Sequence, residues 1–268
     1  MKKKTIALIL ATVFLLATFI TAAAVQFGEP DGYEHPHVGL LIFDVDGVPM
    51  WRCSGTLLSP TVMVTAGHCT YGTSGGRVWF EPDVGAGIPD NGYPGGGGTS
   101  IEFTEIHTHP DYIDGAFYLH DTGIVILSEP VYLDEYGTLA EVGLLDKLAT
   151  KRGLQNQFFT VVGYGLQSVV PTLQADLVRY QGEVKLISVN GVFGIPKGTS
   201  ASFTNNPGKG NGSGGTCFGD SGGPIFHGDS NVIAAITSFG INANCAGTGG
   251  GYRIDTEDDQ AFINSFLD

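Results

Sequence analysis

Gly219-Asp220-Ser221-Gly222-Gly223-Pro224 sets a single serine among glycines. Glycine opens backbone conformations closed to other residues and lets a second chain approach closely. A serine hydroxyl is a weak nucleophile by itself. It needs a base to take its proton and N–H donors to hold the oxyanion that its attack creates. Here the N–H groups of Gly219 and Ser221 are the donors to expect. An ordinary glycine-rich turn would read the same way in isolation, so the stretch acquires meaning only if a base and an acid are found elsewhere.

The best base lies upstream, in Val64-Thr65-Ala66-Gly67-His68-Cys69, where an apolar run enters a turn of small residues. A histidine suits the task because its unperturbed pKa, about 6.5, leaves it mostly neutral yet able to take and return a proton. His35, His37, His107, His109, His120 and His227 lack this setting. His107 and His109 alternate along one side of an expected strand and could in principle hold a metal; structural roles fit them better, and no metal and no cofactor is expected. The acid that would orient the imidazole is Asp121, just before the apolar run Thr122-Gly123-Ile124-Val125-Ile126-Leu127. A carboxylate carried inward there is costly unless hydrogen-bonded, and an Asp before a strand is more often a turn residue.

Outward from these residues the chain reads as short β-type runs punctuated by glycine: 38–45, 62–65, 78–80, 124–127, 158–162, 184–189 and 232–239. The pattern predicts an all-β protein of antiparallel barrels or sandwiches. The dense patches Gly95 to Gly98 and Gly208 to Gly215 read as mobile surface loops. Thr256, followed by Asp259 and then by Phe262, Ile263, Phe266 and Leu267 at helical spacing, predicts a capped C-terminal helix. The β content divides near 150–156, giving two lobes about a cleft, with a single sandwich as the alternative.

The first residues predict an export signal over 1–24: Lys2-Lys3-Lys4, an apolar run from Ile6 to Ile20, then Ala22-Ala23-Ala24. That apolar core has 15 residues, short of the roughly 20 that a spanning helix needs. A secreted protein without stable membrane association after signal removal is therefore expected. Removing the three lysines takes the formal net charge from −14 to −17, which argues against nucleic acid as a partner, since phosphate binding needs clustered Lys and Arg. Four cysteines in an exported chain suggest two disulfides. Of three pairings, Cys53 with Cys69 and Cys217 with Cys245 closes two local loops, but spacing alone does not choose it.

These residues resemble the trypsin and chymotrypsin-like serine peptidases over nearly all of the expected mature chain, 25–268. Histidine, aspartate and serine follow the order of that family, whereas subtilisin-like enzymes and α/β-hydrolases order the same groups differently. Thr65-Ala66-Gly67-His68-Cys69 resembles the histidine motif, with Gly67 where alanine is commoner. Cys53-Ser54-Gly55-Thr56-Leu57-Leu58 resembles the preceding strand with its partner cysteine. His109-Pro110-Asp111-Tyr112 and Val162-Gly163-Tyr164-Gly165 also look like family sequence, the latter with tyrosine where tryptophan is usual. The resemblance implies two packed six-stranded antiparallel β-barrels, about 25–150 and 151–268, with the triad His68, Asp121 and Ser221 between them. It implies the pairing Cys53–Cys69 and Cys217–Cys245, and an oxyanion hole of Gly219 and Ser221. It implies a serine endopeptidase acting as a monomer on protein or peptide substrates.

In the same resemblance Ser238, Phe239 and Gly240 form the strand that pairs with the substrate backbone. Gly215 stands where enzymes that cut after Lys or Arg carry an acid. The far wall of the pocket falls to Gly249, Gly250 and Gly251, which implies room for a large uncharged side chain before the cut. The family's mature N-terminal amine pairs with the acid that maps to Asp220, and Val25 lies where that start belongs; cleavage after Ala24 would expose it, the alternative being a side-chain partner for Asp220. Two other readings keep the fold: a binding protein that has lost activity, and an esterase using the same triad. All three triad residues argue for an enzyme, and the Ser238 to Gly240 segment for peptides.

Overall fold

The computed structural model describes residues 25–149, 156–190 and 195–267. The expected signal at 1–24, and most of the expected boundary at 150–156, lie outside these. Fourteen strands are described, in chain order β1 (Glu29–Pro30), β2 (Val38–Val45), β3 (Val48–Leu57), β4 (Val62–Thr65), β5 (Gly75–Trp79), β6 (Ile101–Thr108), β7 (Gly123–Leu127), β8 (Thr138–Leu139), β9 (Phe158–Gly163), β10 (Tyr180–Ser188), β11 (Ser200–Thr204), β12 (Pro224–His227), β13 (Val232–Gly240) and β14 (Thr248–Arg253).

The first barrel closes in the order β2-β3-β4-β7-β6-β5, all neighbours antiparallel. Closure leaves no sheet edge to be covered. Its centre is filled by Leu41, Phe43, Met63, Val64, Val78, Ile124 and Val125, all without exposed surface. The second barrel runs β10-β11-β14-β13-β12-β9, and the pairing of β9 with β10 closes it. Phe159, Val161, Val184, Leu186, Ala201, Phe203 and Ile225 form its core. The short β1 adds to β10, and β8 adds to β13 in parallel. Two closed six-stranded barrels thus replace the alternative of a single sandwich.

The expected runs at 38–45 and 62–65 coincide with β2 and β4, and the others fall within a few residues of β5, β7, β9, β10 and β13. Sequence pattern passed over β14, where Thr248-Gly249-Gly250-Gly251 reads as a turn; its glycines are held by pairing with β11 and β13 on both sides. The two glycine patches are surface loops for most of their length, with Gly214 and Gly215 buried at the end of the second. Gly215 N–H donates to the Gln26 carbonyl at 3.0 Å and Gly214 N–H to that of Glu183 at 3.1 Å, while Arg77 Nη1 holds the Pro94 carbonyl beside the first patch at 2.8 Å.

The C-terminal helix spans Glu257–Asn264, with Thr256 Oγ1 accepting the Asp259 N–H as its cap. Phe262, Phe266 and Leu267 pack on the first-barrel core. The disulfides Cys53–Cys69 and Cys217–Cys245 are formed, as the resemblance implied.

Candidate functional site

His68 sits in a single helical turn, Gly67–Thr70, that continues directly from β4. The Cys53–Cys69 disulfide ties this turn to β3. Asp121 immediately precedes the residues that enter β7, and β7 pairs with β4, so the two segments leave the first barrel side by side. Asp121 has no exposed surface. Its Oδ1 accepts the backbone N–H of His68 at 2.7 Å, and its Oδ2 lies 2.9 Å from His68 Nδ1. Ser238 Oγ donates to Oδ2 at 2.6 Å. A buried carboxylate is tolerable when donors surround it, and these three supply that.

This ring of donors also fixes the imidazole. With an acceptor at Nδ1, the neutral ring carries its proton there and turns a free Nε2 lone pair outward. Phe117 stands edge-on to the ring with centroids 5.2 Å apart. His68 and Ser221 line one cavity of about 510 Å³ with Phe117, Phe218, Phe239 and Ile241.

The serine loop bridges the barrels. Ser54, on β3, donates its N–H to the Ser221 carbonyl at 2.8 Å and its Oγ to the Gly219 carbonyl at 3.0 Å. Gly222 N–H donates to Thr237 O and Thr237 N–H to Gly223 O, at 2.7 and 2.9 Å. Gly219 has φ +96°, where an L side chain is strained, and an added Cβ would lie 3.1 Å from Gly165 Cα. With their carbonyls engaged by Ser54, Gly219 and Ser221 make no described hydrogen bond through their own N–H groups.

Asp220 points away from the cavity into the second barrel. Its oxygens accept the N–H groups of Gly165 and Cys217 at 2.8 and 2.9 Å. Burial pushes its carboxyl up to about 6, against those two bonds and the charge of Arg52.

The family model described as Trypsin matches residues 26–257. The chain belongs to the trypsin family. It is a serine endopeptidase, a hydrolase of peptide bonds. It is 31% identical over 214 residues to Brachyurin from Leptuca pugilator, covering 78% of this chain and 83% of that protein. It is 26% identical to Serine protease 1 from Drosophila melanogaster over 78% of this chain and 72% of that one. Among solved structures, a structure of HL collagenase superposes with TM-score 0.69 at 20% identity, covering 91% of this chain and all of that one. Neuropsin, a serine protease of mouse brain, superposes with TM-score 0.66 at 21% identity over 90% of this chain and 98% of that one.

Within this trypsin-family protease, His68, Ser221, Ser238, Phe239 and Gly240 all line the cavity, and Asp121 stands behind His68. Gly215 and Gly251 do not line it. Gly215 bridges to Gln26, and a Cβ there would strike Asn205 Cα at 2.4 Å. A Cβ on Gly251 would meet Ile225, Ala235 and Phe203, the interior of the second barrel. The expectation of Gly251 as a pocket wall is therefore corrected. Strand alternation turns the neighbouring Gly250 toward the site instead, under the ring of Phe239. Sequence reasoning missed Phe117, Phe218 and Ile241, which lie in loops or at a strand end and carry no periodic signal.

The expected pair His107 and His109 separates. His107 meets Glu105 at 2.8 Å, while His109 stacks on His120 beside Asp258. His109, Asp111, His120 and Asp258 bring candidate ligand atoms within 4.8 Å of one another. His109 Nδ1 accepts the Asp111 N–H at 3.2 Å, so its neutral ring carries a proton on Nε2, facing Asp258 and not offering a lone pair. The cluster sets the two stacked rings beside the start of the C-terminal helix, with Asp258 Oδ2 3.5 Å from His109 Nε2 and 3.2 Å from His120 Nδ1.

Proposed function

We propose that Ser221, His68 and Asp121 are the catalytic triad of this secreted endopeptidase. Ser221 Oγ attacks the scissile carbonyl carbon as His68 Nε2 takes its proton. Asp121 stabilises the imidazolium through the Nδ1–H bond. The oxyanion is held by the N–H groups of Gly219 and Ser221. Collapse of this intermediate breaks the C–N bond, His68 returns the proton to the departing amine, and water hydrolyses the acyl-enzyme by the same steps. The observation that carries the reading is the wholly buried Asp121 with His68 Nδ1 at 2.9 Å, because it sets the tautomer that general-base chemistry at Nε2 requires.

Ser238, Phe239 and Gly240 support main-chain pairing with a peptide along the end of β13. No Asp, Glu, Lys or Arg lines the cavity, and Phe117, Phe218 and Ile241 do, which supports a large uncharged side chain before the cut. Export rests on the apolar run Ile6 to Ile20; no described helix is long and apolar enough to cross a membrane. Export also accounts for activation: cleavage after Ala24 frees the amine of Val25. Val25 is already buried in the second-barrel core, and Asp220 is a buried carboxyl that an ammonium would stabilise.

The test is labelling of the mature secreted protein with an organophosphonate that traps activated serines, with intact-mass determination of its N-terminus. Labelling is expected on the parent and lost in Ser221→Ala, together with a fall in kcat of about 10⁴-fold or more. A start at Val25 is expected. Folded protein starting at Val25 that takes no label would overturn the triad; an active protein starting well downstream would overturn activation by export.

A further inference from the structure

Four arginines lie among the described residues, and three are tied to carboxylates: Arg77 to Asp44, Arg179 to Asp31 and Arg253 to Asp146 and Asp255. The side chain of the fourth, Arg52, makes no described hydrogen bond or ion pair, in a chain with 27 acidic residues. Its position is specific. Side chains two apart on a strand share a face, so Arg52 lies on the same face of β3 as Ser54, whose hydroxyl holds the Gly219 carbonyl. Its guanidinium reaches that glycine: Nε lies 3.0 Å and Nη2 3.4 Å from where a Cβ on Gly219 would stand. The half-buried Arg52 is absent from the cavity lining, which holds Thr216 to Phe218 and the end of β13.

We propose that Arg52 selects substrates on the leaving-group side of the cut, taking an acidic side chain at the first or second residue after the scissile bond. This rests on the triad proposed above. If the side chain before the cut fills the cavity and its carbonyl oxygen meets the Gly219 N–H, the departing chain must leave across the outer flank of Gly219, where Arg52 stands. Extended residues advance about 3.3–3.6 Å each, so one of the first two can set its carboxylate against the guanidinium. A planar guanidinium already ordered against the loop and half withdrawn from water favours such a charge-assisted contact. The rival role is structural: Arg52 lowers the carboxyl of the buried Asp220 by its charge. That role would act on every substrate alike.

The experiment measures kcat/KM on peptides with one large apolar residue before the cut and Asp, Ala or Lys at the first and second positions after it, using the parent, Arg52→Gln and Arg52→Lys, with Tm as the folding control. The parent is expected to prefer Asp over Ala by about tenfold at one of the two positions and to disfavour Lys. Arg52→Gln should bring the Asp/Ala ratio near one, and Arg52→Lys should retain part of it. A parent ratio near one, or a ratio unchanged in folded Arg52→Gln, would overturn the inference while leaving the triad standing. A parent that takes no phosphonate label and cleaves no peptide would overturn both.

Discussion

Asp121 shows how much one residue's surroundings decide. Alone, an aspartate before a strand is a turn residue; here it takes a backbone N–H, an imidazole N–H and a hydroxyl with no exposed surface of its own. All three partners donate, so the site wants an acceptor-only group. An amide in its place would put its own NH₂ against one of those donors and leave the proton of His68 on the wrong nitrogen. Asp121→Asn is therefore expected to lower kcat by about 10⁴, the size this change has in the Ser-His-Asp template, with a smaller change in KM. Steady-state kinetics on one peptide checks this. A kcat within tenfold of the parent would mean that Asp121 does not set the tautomer.

At the scale of elements, Asp259 ties the C-terminal helix to the site by hydrogen bonds. Asp259 accepts Thr122 Oγ1 at 2.7 Å, beside Asp121, and Tyr252 Oη at 3.0 Å, while Thr256 Oγ1 donates to the same carboxylate and accepts its N–H. Burial raises the Asp259 carboxyl, and the hydrogen bonds of Thr256, Thr122 and Tyr252 oppose that shift. Thr256→Ala removes the cap without stranding the carboxylate, since Thr122 and Tyr252 remain. It should cost about 1 kcal/mol, read as a fall of roughly 2–4 °C in Tm, with Thr256→Ser recovering most of it. The cap and the apolar spacing were legible in the sequence; that this helix braces the segment beside Asp121 was not, because Thr122 and Asp259 are 137 residues apart.

At the scale of the whole molecule, the barrels are joined by a buried arginine that is paired with a carboxylate. Arg179, with no exposed side-chain surface, enters β10 of the second barrel and donates to Asp31 at 2.7 Å, to Gly32 O, and to Val38 O and Phe80 O of the first barrel. Burial alone would raise the Asp31 carboxyl, but the His35 hydrogen bond and the charge of Arg179 outweigh it and hold it below its ordinary value. Removing Arg179 leaves the buried Asp31 charge with only the His35 ring and N–H as partners, so Arg179→Met should cost about 3–5 kcal/mol, and the double change with Asp31→Leu should recover part of it. Asp31 supplies stability above the ordinary carboxylate range and loses it as pH falls through the lowered pKa. The gap between parent and Arg179→Met should therefore narrow in acid, where protonation ends both the pair and the stranded charge. Thermal scans across pH test this; a gap that stays constant into acid would show that Asp31 carries no stranded charge.

The sequence by itself determined what is local. Strand runs such as Val38–Val45 announced themselves by predominantly apolar residues, the helix by its cap, and the serine loop by glycines that a tight turn requires. The order of His68, Asp121 and Ser221 pointed to the family because order survives where surrounding residues drift. Tertiary structure alone decided what depends on residues far apart meeting in space. It turned Gly251 into the barrel core and Gly250 toward Phe239, because strand register sets which face a side chain takes and one residue reverses it. It brought Phe117, Phe218 and Ile241 together as cavity walls, and it left Arg52 beside Gly219 without a carboxylate. None of these carries a periodic or spacing signal, since each is fixed by how two closed barrels pack and not by its own neighbours in the chain.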